Sequence, residues 1–205
     1  KKRKYYYDCG FWGRALLGCN FDKVHLIVII VTGASGGLGS IIVNKLSKFE
    51  RIIAVYNSST TNVENSNNIK WIKSDLSCLA GVEKVVKEAS KYNDKKISLL
   101  NMSTKKNDSL LVSHDLSLWD ESMRLNLTSP FHFAKLLIPL MIKNKWGRFM
   151  FVTSTGGMRG DIGTVSYSAS KMGLIGLSRV ISKEYSKFNI TSNIISLGTF
   201  DTGLF

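Results

Sequence analysis

Cysteine is scarce in this chain. Its 205 residues hold three, Cys9, Cys19 and Cys78. They form neither a CxxC pair nor an even framework, which excludes a disulfide-stapled scaffold and a thiolate zinc knuckle. The expected compartment is a reducing cytoplasm. Proline is scarcer still, with only Pro130 and Pro139. No Pro/Gly/Ser-rich linker divides the chain and no internal repeat occurs, so one domain with its own core is expected. Long apolar runs are also missing. The longest, Leu26 to Val31, is far too short to span a bilayer. Acidic residues are few, 15 against 28 basic, for a net charge of +13. Apart from the opening Lys1-Lys2-Arg3-Lys4, however, the lysines are scattered. With no zinc-finger spacing and no aromatic RNA-binding signature, they read as a solvated surface, and neither nucleic acid nor membrane is an expected partner. Leu16-Leu17-Gly18-Cys19 faintly resembles a lipoprotein cleavage site, but Asp8 and Arg14 interrupt the stretch before it. Residues 1–22 remain an unassigned extension, and the domain is taken as 23–205.

What is present is an alternation of periods. His25–Val31 is continuously apolar and β-branched, as a strand buried on both faces should be. A glycine-rich turn and a helical pattern over Leu38–Phe49 follow. Further strands are expected at Arg51–Tyr56, Ile69–Lys73, Ile97–Leu100, Arg148–Thr153 and Ile190–Ser196. Helices are expected at Leu79–Tyr92, at Leu118–Lys143 with bends at Pro130 and Pro139, and at Val165–Phe188, with Leu174, Leu177, Val180 and Ile181 on one side. Strands alternating with helices imply right-handed βαβ units and an α/β fold with a doubly wound parallel sheet. In such sheets ligands sit beyond the carboxyl ends of the strands.

Three groups of residues fall at those ends. Thr32-Gly33-Ala34-Ser35-Gly36-Gly37-Leu38-Gly39 follows the first strand and opens a helix. Glycine permits the sharp turn, and the helix N-terminus offers N–H groups and a positive dipole end to a pyrophosphate. After the second strand comes Tyr56-Asn57-Ser58-Ser59-Thr60, with no carboxylate for ribose hydroxyls. A 2′-phosphate meets no repulsion there, so NADP(H) is favoured over NAD(H). Finally, Tyr167-Ser168-Ala169-Ser170-Lys171 places Tyr167 and Lys171 at i and i+4 on one helix face. A free tyrosine has a pKa of about 10, and a neighbouring ammonium stabilises its phenolate. Tyr167 thereby becomes a candidate general acid or base. Ser154, just past the fifth strand, is either a turn serine or a donor to a substrate oxygen whose charge changes. Asn126 in Leu125-Asn126-Leu127-Thr128 is mid-helix, which is slightly unfavourable. It is either a surface residue or one that holds a water near Lys171.

Together these residues resemble the short-chain dehydrogenase/reductase family over roughly residues 24–205. Gly33, Gly37 and Gly39 match its "TGxxxGxG" turn. Asn126, Ser154, Tyr167 and Lys171 match its catalytic tetrad in order and spacing. The resemblance implies a Rossmann-type sheet and a nicotinamide cofactor held by Gly33, Ser35, Gly37, Leu38, Gly39, Asn57, Asp75, Leu76, Asn101, Tyr167, Lys171 and Thr202. Asp75 matches the position that contacts adenine, Asn101 the first residue of "NNAG", and Thr202 a hydroxyl near the nicotinamide amide. It assigns proton exchange to Tyr167, substrate orientation to Ser154, and ribose binding to Lys171, which also lowers the Tyr167 pKa. Asn126 supports the proton relay. Around Asn189–Asn193 and Leu197-Gly198 the chain is most similar to β-ketoacyl carrier-protein reductases. That implies reduction of a 3-oxoacyl thioester, small or carrier-linked, by a homo-oligomer, tetramer or dimer. A sugar, polyol or other alcohol dehydrogenase, and an NADP-binding regulator, remain alternatives. Two segments depart from the pattern: Asn101-Met102-Ser103-Thr104 replaces "NNAG", and Leu197 replaces the proline of "PG". The family also continues past the position of Phe205 with a substrate-covering region and a final strand, so the resemblance implies a C-terminally incomplete domain.

Overall fold

The computed structural model describes residues 27–58, 67–92 and 96–198. Six strands form one sheet: β1 (Ile27–Thr32), β2 (Arg51–Tyr56), β3 (Ile69–Lys73), β4 (Lys96–Asn101), β5 (Gly147–Ser154) and β6 (Ile190–Leu197). Their order is β3-β2-β1-β4-β5-β6 and every pairing is parallel. This is the doubly wound Rossmann-type α/β sheet that the alternating periods imply. Strand order reverses between β1 and β4, so the loops leaving these neighbours diverge and open a crevice at their carboxyl ends.

Central strands bury both faces, which explains the unbroken apolar runs of β1 and β2. In β1, Val28 and Ile30 join a core with α2 (Leu79–Ser90), α4 (Ser129–Lys143) and α6 (Val165–Tyr185). Ile29 and Val31 face the other way, with Val43 of α1 (Gly37–Leu46). In β5 burial alternates strictly. Phe149 and Phe151 are fully buried and stack with ring centroids 5.9 Å apart, while Met150 and Val152 are half-covered. Among the described residues β6 pairs on one side only, and the second half of the strand is largely exposed. On α6, Leu174 and Ile181 are buried as expected. Val180 is exposed: two residues past the buried Ser178, it lies about 200° round the helix from it.

The expected single helix Leu118–Lys143 is in fact three pieces. α3 (Leu116–Met123) passes into a π-helical turn, Arg124–Thr128, and then into α4. The distortion lies upstream of Pro130. That proline has no N–H to offer the carbonyl of Asn126, four residues back, and its ring crowds that carbonyl. The widened turn relieves the conflict. Ser129 N–H reaches back to the carbonyl of Arg124, one residue further than in an α-helix. By length and hydropathy Leu116–Lys143 is the one stretch among the described residues able to cross a membrane. In the fold it is a core helix, with Phe133, Leu137 and Met141 fully buried.

Candidate active site

A cavity of about 720 Å³ opens at the carboxyl ends of the strands. Its floor is the glycine turn. Gly33 has φ +67°, in the left-handed region. A Cβ on Gly39 would lie 2.1 Å from the Gly33 carbonyl oxygen, a distance only glycine permits. The Ala34 N–H ties the turn to the Val55 carbonyl at 3.0 Å. Gly36 caps α1 without a side-chain acceptor, which leaves the N–H groups of the first turn for an anion. Ser35, Gly37 and Leu38 line the cavity beside Gly33 and Gly39.

The neighbouring wall holds Tyr56, Asn57, Ser58, Asp75 and Leu76. Tyr56 is braced edge-on by Trp71, ring centroids 6.0 Å apart. The Asp75 carboxylate accepts from the Ser77 hydroxyl at 2.7 Å and the Ser77 N–H at 2.9 Å. These bonds hold its pKa below the usual aspartate value, so it is ionised at neutral pH.

The substitutions in the segment after β4 leave its backbone anchored. Thr32 Oγ1 accepts from both Met102 N–H and Ser103 N–H at 3.0 Å, and donates to Asn101 Oδ1 at 3.1 Å. Asn101 itself is fully buried behind this wall and does not line the cavity. It supports the site from below.

Across the cavity stand Ser154, Tyr167 and Lys171. Ser154 is the last residue of β5 rather than a residue beyond it. Lys171 follows Tyr167 by one turn of α6, and its Nζ lies 5.5 Å from the Tyr167 ring centroid. That Nζ donates to the Val152 carbonyl at 2.9 Å. Lys171 is only 2% exposed. Burial pushes its pKa down to about 8, because the charged form loses its hydration. The short helix α5 (Thr155–Arg159) passes close over this pair. A Cβ on Gly157 would sit 3.1 Å from Lys171 Cβ and 3.4 Å from Tyr167 Cε1.

Asn126 is 0% exposed and does not line the cavity either. Its amide holds the wall from behind. Oδ1 accepts from Lys105 N–H at 2.8 Å and Thr104 Oγ1 at 3.3 Å, and Nδ2 donates to the Lys105 carbonyl at 2.8 Å. The buried amide, paired on both sides, replaces the surface reading of this residue. Thr202 lies outside the described residues. The structure therefore gathers Gly33, Ser35, Gly37, Leu38, Gly39, Asn57, Asp75, Leu76, Ser154, Tyr167 and Lys171 around one cavity, with Asn101 and Asn126 behind its walls. The sequence reading missed Ser103, Thr104, Lys105, Thr153 and Asp161, which also line it. Ser103, Thr104, Lys105 and Thr153 follow or end strands β4 and β5, so the strand-end rule that found Ser154 points to them as well, whereas Asp161 lies beyond α5 and no strand end marks it.

The sequence profile of a family described as short chain dehydrogenase matches residues 27–205. A 3-oxoacyl-(acyl-carrier-protein) reductase FabG of Buchnera aphidicola subsp. Schizaphis graminum is 35% identical over 190 residues, 89% of this chain and 77% of that one. A reductase of the same description from Aquifex aeolicus is 27% identical, over 86% of this chain and 75% of that one. The solved structure of a candidate 3-oxoacyl-reductase from Bacillus thuringiensis superposes with a TM-score of 0.77 at 26% identity, covering 85% of this chain and 77% of that one.

Proposed function

The chain belongs to the short-chain dehydrogenase/reductase family and is an NAD(P)-dependent oxidoreductase acting on CH–OH groups, and we propose that within it the chain is an NADPH-dependent reductase of 3-oxoacyl thioesters with Tyr167 as proton donor. The observation that carries this reading is the single cavity with the glycine turn on one side and Tyr167, Lys171 and Ser154 on the other.

The residues present fit a dinucleotide. Backbone packs so closely around Gly33 and Gly39 that a Cβ at either would clash, and the N-cap residue of α1, Gly36, brings no side chain to the first N–H groups. The Ser103 and Thr153 hydroxyls are buried against the cavity without a hydrogen-bond partner among the described residues. Gly33, Ser35, Gly37, Leu38 and Gly39 would hold the pyrophosphate. Asn57 and Ser58 would hold a 2′-phosphate, Asp75 and Leu76 the adenine, Lys171 the nicotinamide ribose, and Thr202 the amide. Asn57 and Ser58 offer neutral donors where NAD sites carry a carboxylate, which supports NADP(H). When bound, the nicotinamide supplies the hydride.

This chain's own residues do the rest. The Ser154 hydroxyl donates to the substrate carbonyl oxygen and orients it. Tyr167 passes its proton to that oxygen as negative charge develops there. The Lys171 ammonium favours the phenolate left behind. Asn126 holds the Thr104–Lys105 wall. The similarity to carrier-protein reductases supports a 3-oxoacyl group, and a net charge of +13 suits an acidic carrier.

The test is NADPH oxidation with an acetoacetyl thioester, beside Tyr167→Phe. Turnover is expected to fall at least a thousandfold in the variant, a value typical of losing the proton donor together with its charge stabilisation, while the variant still binds NADPH. Equal turnover by both proteins refutes the role of Tyr167. Absence of turnover with thioesters, but turnover with sugars or simple alcohols, refutes the substrate.

A further inference from the structure

Between α3, the π-helical turn and α6 runs a seam of buried polar groups with two rungs. In the first, the Ser166 hydroxyl donates to Ser122 Oγ at 3.2 Å, and Asn107 Nδ2 reaches the same oxygen at 3.2 Å. In the second, one helical turn along both elements, Asn126 Nδ2 donates to Ser170 Oγ at 3.1 Å. Ser122, Ser166, Asn126 and Ser170 are all fully buried.

The second rung has one possible polarity. The backbone N–H of Lys105 only donates and its carbonyl only accepts. The amide of Asn126 must therefore present Oδ1 to the first and Nδ2 to the second. One proton of Nδ2 remains, and it points at Ser170. Ser170 Oγ accepts it and sends its own proton to the Tyr167 carbonyl at 2.7 Å. A chain of bonds thus runs from the Thr104–Lys105 wall through Asn126 and Ser170 to the backbone of Tyr167. Without the Ser170 oxygen, that amide proton has no partner in a site closed to water.

We propose that Ser170 is a positioning residue of the site: it locks the Asn126 amide and, through it, the cavity wall at Thr104 and Lys105. Its effect on turnover rests on the reductase reading above, whereas its effect on the wall does not. The experiment accordingly has two arms. In the first, amide hydrogen exchange at Lys105 is compared in wild type and Ser170→Ala. Exchange at Lys105 is expected to rise at least tenfold while the amides of β5 keep their rates. An unchanged Lys105 rate, or an equal rise throughout β5, overturns the proposal. Should Ser170→Ala not fold, Ser170→Cys carries the same comparison, since its larger sulfur is only a weak acceptor.

The second arm is a turnover cycle of Ser170→Ala, Asn126→Ala and the double variant. If Ser170 acts through Asn126, the double variant is no slower than Asn126→Ala alone, and Ser170→Ala lowers kcat about tenfold with the KM for NADPH unchanged. Losses that multiply overturn the coupling. If the wild-type chain reduces no carbonyl, the reductase reading fails, and the exchange arm still decides the role of Ser170.

Discussion

Lys171→Met is expected to make the cofactor-free protein more stable while abolishing its activity. The Lys171 ammonium is buried, donates to the Val152 carbonyl at 2.9 Å, and makes no ion pair among the described residues. Its pKa of about 8 in the folded chain lies below the ordinary lysine value of 10.5. Each unit of such a shift represents about 1.4 kcal/mol, so holding the charge in this site costs roughly 3 kcal/mol at neutral pH. The sign follows from linkage. Below pH 8 both states bind the proton, and the folded state carries the full cost. Between about 8 and 10.5 the folded state releases the proton first, so wild-type stability rises with pH across that window. Methionine keeps an unbranched apolar stem without the charge. It also strands the Val152 carbonyl, at about 1 kcal/mol. The net expectation at pH 7 is a gain of about 1–2 kcal/mol. For a chain of this length that is a rise of several degrees in Tm, at about 2–4 °C per kcal/mol. Calorimetric melting of both proteins from pH 7 to pH 10 tests it. The gap should narrow as pH approaches 10 and the wild type sheds its proton. A variant that melts below wild type at pH 7, or a gap that stays constant with pH, refutes the reasoning.

Two further outcomes test the cofactor side. Gly39→Ala would drive a methyl to 2.1 Å from the Gly33 oxygen, with Ala34 backbone atoms at 3.0 Å. The turn must open, at about 1–3 kcal/mol. NADPH should bind at least tenfold more weakly by fluorescence titration, and wild-type affinity would show that the turn does not hold the cofactor. Asn57→Asp places a carboxylate on the wall assigned to the 2′-phosphate. The ratio of kcat/KM for NADPH over NADH should fall at least tenfold, about 1.4 kcal/mol, and an unchanged ratio would move the phosphate elsewhere.

The stability cost of Lys171 bears on what a sequence discloses. The sheet was legible because its signals are local. β1 and β2 carry unbroken apolar runs, and β4 breaks its own only at the buried Ser98, the pattern of strands covered on both faces. The boundaries of β2 and β3 matched to the residue. The glycine turn and the Tyr167–Lys171 pair were legible for a different reason: their chemistry demands a fixed spacing along the chain, which survives without coordinates. Asn126 was harder. Its meaning lies in partners at Lys105 and Ser170, separated from it by 21 and 44 positions. Nothing local distinguishes such a residue from a surface asparagine in a helix. The π-helical turn around it was misplaced for a related reason. A proline disturbs the carbonyl four residues before it, so a reading that puts the bend at Pro130 itself falls one turn late. Ser170 was invisible altogether, because a serine in the first turns of a helix commonly bonds backward to a carbonyl. Only the amide arriving from the opposite helix makes its hydroxyl a link. Residues with intrinsic chemistry can thus be found by spacing, whereas residues that act by completing another's hydrogen bonds become visible only once the helices are packed.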